Sequence, residues 1–156
     1  MKQFVIISLA IGLLLHSACM RNESAEVYHR FPSQTWQRFD ILKFEVPVRE
    51  SGQDYDVWFF IRTTRKYPYN DLNFNMVMNT TSGEERIREY TLQVNRAGGG
   101  LAEPCTQDSC TYSLVLKSRL HCSITGILKI DIENLTPRMR TEGILGAGIR
   151  LTKTRG

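Results

Sequence analysis

Residues 42–48 read LKFEVPV, and in them Leu42, Phe44, Val46 and Val48 alternate with Lys43, Glu45 and Pro47. Successive side chains of an extended chain point to opposite faces, so this segment offers one apolar face to a core and one polar face to water. A helix would spread the same residues around its circumference. The period of two therefore decides for a β-strand. Proline lacks an amide hydrogen, so Pro47 places this strand at a sheet edge or at a bulge.

The alternation recurs along the chain. Leu72, Phe74, Met76 and Met78 alternate with Asn73, Asn75 and Val77; Leu92 and Val94 with Thr91, Gln93 and Asn95. Tyr112, Leu114 and Leu116 do so with Ser113, Val115 and Lys117, and Leu128, Ile130 and Ile132 with Lys129, Asp131 and Glu133. Val57 to Ile61 (VWFFI) is continuously apolar, as suits a strand covered on both faces. An early strand from Val27 to Phe31 and a last one through Ala147, Ile149 and Leu151 bring the expectation to about eight strands. Glu50-Ser51-Gly52, Thr80 to Glu84 (TTSGE) and Arg96 to Gly100 (RAGGG) supply turn material between them. No long segment keeps a helical period. The fold expected is all-β, an antiparallel β-sandwich, with a jelly roll among its forms.

The first residues belong to a different regime. Lys2 is followed by a 12-residue apolar run, Phe4 to Leu15, and then by the small residues Ser17 and Ala18 before Cys19. This order is that of a secretory signal peptide, and the run is short of the ~20 residues a spanning helix needs. A cysteine after two small residues resembles a bacterial lipobox, although His16 stands where leucine is usual. The expectation is a signal peptide over 1–18, a lipid-bearing Cys19 and a polar tether over 19–26. A single β-sandwich domain then fills 27–156. With Met20 rather than aspartate after the cysteine, the anchor is expected in the outer membrane, with the domain facing the periplasm. Several acyl chains on Cys19 would hold the protein on that membrane far more firmly than one.

Composition excludes some functions. The 156 residues carry a formal net charge of +4, with basic residues scattered among acidic ones, so no nucleic-acid footprint is read. Cys105 and Cys110 (CTQDSC) can close a small disulfide loop in an oxidising compartment, leaving Cys122 over. Pairing of Cys122 with either one stays open, because connectivity is not encoded in spacing. Zinc is disfavoured because His121 and Cys122, adjacent in a strand, would point to opposite faces. No metal or other cofactor is expected.

No catalytic constellation stands out. His29 and His121 sit in no nucleophile context, and Asp54, Asp56, Glu84, Glu85, Asp131 and Glu133 are such carboxylates as any domain of this size carries on strand faces. The chain is expected not to be an enzyme. Aromatic residues on loops are the more informative feature. Trp36 and Phe39 lie in the polar stretch 33–40, and Tyr67 and Tyr69 flank Pro68 after the apolar strand. Trp36, Tyr67 and Tyr69 are the candidate partner- or ligand-contact residues.

Three segments, Tyr28 to Trp36 (YHRFPSQTW), Arg62 to Phe74 with its YPYNDLNF, and Gly143 to Leu151 (GILGAGIRL), resemble in order the gliding-motility lipoproteins called GldH, from Bacteroidetes. Glu142, Gly146 and Ala147 depart from the family pattern, where proline, aspartate and valine are common. The resemblance implies an envelope lipoprotein acting beside the gliding or secretion apparatus through protein partners, and it carries over no catalytic residue. The alternative is a lipid-anchored carbohydrate or ligand binder, which would need Trp36, Tyr67 and Tyr69 to line one pocket.

Overall fold

The structure, a computed structural model, describes residues 24–94 and 105–154 together with the backbone of 101–102. Cys19, the leader and Gly98 to Gly100 lie outside the described residues. The strands in chain order are β1 (Ser24–Arg30), β2 (Thr35–Gln37), β3 (Ile41–Val48), β4 (Gln53–Thr64), β5 (Asp71–Asn79) and β6 (Glu85–Gln93). They continue with β7 (Leu101–Ala102), β8 (Ser109–Cys122), β9 (Gly126–Asn134), β10 (Arg140–Glu142) and β11 (Ile144–Lys153). No helix occurs among the described residues.

One sheet runs β1-β11-β4-β8-β7, a second β3-β9-β5-β6, and β10 with β2 forms a two-stranded ribbon. Every pairing is antiparallel. The two large sheets make the sandwich that the period-two pattern calls for. Leu42, Phe44, Val46 and Val48 point inward from β3, opposite Val57, Phe59 and Ile61 of β4 and Ala147, Ile149 and Leu151 of β11, and all are buried. The sheets meet directly where the rings of Phe59 and Phe74 stand 4.6 Å apart. On one flank the Tyr90 hydroxyl donates to the Leu116 carbonyl at 2.5 Å, tying β6 to β8. β3 is an edge strand, the place in a sheet where a proline such as Pro47 is tolerated.

Two expectations need correcting. The tether was expected to reach Glu26, but β1 takes in Ser24, Ala25 and Glu26, paired with Thr152, Leu151 and Arg150. Their polarity is that of a sheet edge: Ser24 and Glu26 face outward, and Arg150 Nε donates to Glu26 at 2.8 Å. The count of about eight also misses β2, β7 and β10, which have two or three residues each and are too short to show a period.

The sandwich has two distinct ends. At one lie the start of β1 and the turns 49–52, 80–84 and 123–125. At the other lie the end of β1 and the longer loops 31–40, 64–71 and 135–143. We call this the loop end. The three segments of sequence that resemble the lipoprotein family converge on it.

Candidate docking site

Asn134, the last residue of β9, organises the loop end and is fully buried. Its amide donates to the Trp36 and Gln37 carbonyls at 3.2 Å, and its Oδ1 accepts from the Thr136 amide at 3.0 Å and the Thr136 hydroxyl at 2.8 Å. Thr136 in turn shares a 3.0 Å hydroxyl contact with Thr141, also buried. A buried amide with all of its donors and acceptors engaged fixes the chains around it in one arrangement. Here it holds loop 135–143 against β2 and the residues that follow.

That arrangement thrusts two large apolar side chains outward. The Arg38 amide donates to the Met139 carbonyl at 3.0 Å and the Phe39 amide to the Asn134 carbonyl at 2.8 Å, so the two loops run side by side. Phe39 is 55% exposed and Met139 72% exposed. Phe39 also has φ 67°, in the left-handed region where a bulky side chain costs of order 1–2 kcal/mol. Two arginines of these loops lie over aromatic rings. The Arg38 guanidinium lies 4.6 Å from the Phe39 ring centroid, and the Arg138 guanidinium 3.9 Å from that of Tyr69. Across loops 31–40, 64–71 and 135–143, Arg38, Arg65, Lys66, Arg138 and Arg140 stand against Asp40, Asp71 and Glu142. The three loops together thus carry more cations than carboxylates, with Arg138 lying 3.9 Å from Asp71.

The aromatic residues singled out in the sequence divide. Trp36 is not a contact residue: it is fully buried, packed at 5.7 Å against Phe31, with its indole nitrogen donating to the Asp40 carbonyl at 3.3 Å. A three-residue strand, β2, turns it into the core, which a polar flanking sequence did not reveal. Tyr67 and Tyr69 meet edge to face at 5.3 Å and are half-buried. Burial pushes the Tyr67 phenol above its ordinary range despite the nearby Arg138 cation, which pulls the other way. Trp36 and the two tyrosines share no cavity among the described residues. Met139 and the arginines beside it were missed. The available signal was Pro137-Arg138-Met139-Arg140, an apolar residue between two cations in turn material.

Groups considered for chemistry take structural positions. Cys105 and Cys110 form a disulfide, and Cys122 is a buried free thiol that burial pushes up in pKa, with the Asp54 carboxylate acting in the same direction. His121 faces solvent beside it, 2.8 Å from Asp54, so the two neighbours in β8 diverge as a strand requires. For Asp56, desolvation acts to raise the pKa. The donors that converge on Oδ1 outweigh it: the Arg119 amide at 2.9 Å and the Ser118 and Thr154 hydroxyls at 3.0 Å hold this carboxyl below its ordinary value. It braces the irregular stretch of the β4–β8 ladder. The described residues contain no cluster of metal-ligating side chains, and no described helix is long and apolar enough to cross a membrane.

A model of the GldH lipoprotein family matches residues 23–151. The gliding motility lipoprotein GldH of Flavobacterium johnsoniae is 24% identical over 93 residues, which cover 60% of this chain and 58% of that relative.

Proposed function

The chain belongs to the GldH lipoprotein family, and from that membership we propose that it is a non-catalytic component of the gliding and envelope machinery, held on the outer membrane by lipid on Cys19 and acting by docking to protein partners. The observation that carries the docking reading is the loop end. There a bulky aromatic is kept exposed in an unfavourable backbone conformation beside an exposed methionine, with the Arg38 guanidinium over its ring, on loops that carry a net positive charge. Residues held in sparsely populated backbone regions cluster at binding and switch sites. An apolar centre with charged surroundings is the anatomy of a protein interface. The carbohydrate-binding alternative loses Trp36 to the core.

The experiment is recovery of partners with the tagged, detergent-solubilised protein from its own outer membrane. The unaltered chain is expected to bring down defined envelope proteins, and a Phe39→Ser, Met139→Ser variant to recover them at least several-fold less. Recovery of the same partners by that variant would sink the docking surface; an absence of partners for both would sink the interaction reading itself.

A further inference from the structure

On the outer face of the five-stranded sheet, β1 and β4 flank β11. Arg30 and Arg62 both pair with Gly146 on one rung. With strands about 4.8 Å apart, two cationic side chains rise ~10 Å apart at Cα, and the glycine between them contributes no side chain of its own. The gap has a floor. A Cβ on Gly146 would fall 2.0 Å from the Tyr28 hydroxyl, so the phenol lies directly over the glycine. The Arg62 guanidinium sits 5.5 Å from the Tyr28 ring centroid. These groups, with Phe31, Leu145 and Asp108, line an open depression of about 700 Å³.

Its polar groups are uncommitted. Among the described residues no carboxylate lies within ion-pair distance of Arg30 or Arg62, and the Tyr28 hydroxyl has no protein partner. Arg30, Arg62 and Tyr28 thus line a single opening, and paired guanidinium forks suit a planar carboxylate. Asp108 on the lip leaves one net positive charge and so favours a monoanion over a phosphate dianion. Arg62 covers the ring face of Tyr28, so that face is not open for a sugar to stack on.

We propose that the depression over Gly146 binds a glutamate or aspartate carboxylate of an acidic polypeptide, with that segment's apolar atoms against Phe31 and Leu145. This deepens the docking reading, resting on it for the partner being a protein, and it places a second contact on the loop end apart from Phe39 and Met139.

The test is fluorescence anisotropy of a labelled peptide of alternating glutamate and leucine, titrated with the full-length protein in detergent. Saturable binding is expected for this probe and none for a lysine–leucine peptide. Arg30→Gln and Arg62→Gln should each weaken it about tenfold, and Tyr28→Phe about threefold, through loss of charge-assisted and neutral hydrogen bonds. Asp108→Asn should strengthen binding. Equal affinity of the unaltered chain and both arginine variants would overturn the site. Binding of polygalacturonate in place of the peptide, or of inorganic phosphate alone, would overturn the polypeptide assignment. Lys129→Gln, at an exposed position of β9 on the other sheet, should leave peptide affinity unchanged, and because peptide affinity and partner recovery are separate measurements, failure of this depression and failure of the Phe39 surface can be told apart.

Discussion

Phe39 is held at φ 67° and yet contributes little to the core, being 55% exposed. Glycine takes that backbone conformation without penalty, at the cost of some unfolded-state entropy. Phe39→Gly is therefore expected to change the unfolding free energy by less than about 1 kcal/mol in either direction, while partner recovery falls. A urea titration checks the first part, and a loss above about 2 kcal/mol would mark Phe39 as a packing residue. Trp36 should behave in the opposite way. It is fully buried against Phe31, so Trp36→Ala is expected to cost about 3–5 kcal/mol, read in the same titration. A loss below about 1 kcal/mol would contradict its place in the core. Both aromatics come from one polar stretch of eight residues, and sequence alone did not separate them. What distinguishes them is the buried amide of Asn134, almost a hundred residues away, whose bond to the Trp36 carbonyl draws that segment inward.

At the scale of elements, legibility followed burial. β3, β5 and β9 each have one face in the core and one in water, and their alternation gave their extents to within two residues. β4 was legible for a different reason: Phe60 on its outer face is buried too, under the Arg150 guanidinium at 5.1 Å, so the run is apolar throughout. β6 was only half visible. Its inward positions Arg86 and Arg88 lie at the rim of the sandwich, where charge guards an open edge rather than filling a core, and only Leu92 is buried. Irregularity in the β4–β8 ladder was invisible to periodicity and depends on Asp56. Because hydrogen bonding holds this carboxyl below its ordinary pKa, its contribution to stability is fully present above about pH 4 and is lost as pH falls further, through the folded-state value. Asp56→Asn cannot be protonated there. Denaturant midpoints of the native chain and of Asp56→Asn, compared at pH 7 and pH 3, should therefore differ more at pH 7 than at pH 3. A gap that stays constant between the two would refute the role assigned to this carboxylate.

Across the whole molecule the proposed function gives the two ends different tasks. β1 begins at Ser24 and runs seven residues to Arg30, a rise of about 20 Å, before the loop end is reached. Cys19 precedes Ser24 by five residues, which extend to at most ~18 Å. A lipid on Cys19 would thus hold the end of the sandwich carrying the short turns near the membrane and direct Phe39, Met139 and the depression over Gly146 away from it. The site was illegible in the sequence because it is assembled from loops far apart in the chain, yet its polarity relative to the anchor follows from strand direction alone. Separation of ends makes anchoring and docking independently removable. Cys19→Ala is expected to move the protein out of the membrane pellet while leaving partner binding by the purified chain unchanged. Phe39→Ser with Met139→Ser should do the reverse, staying in the pellet and losing the partner. If the anchor variant also lost binding in purified form, the membrane side of the domain would belong to the interface, and the division of tasks between the two ends would fail. In cells both variants should abolish function, since a docking surface about 20 Å from its tether works only while the tether confines it to the partner's membrane and raises its effective concentration there.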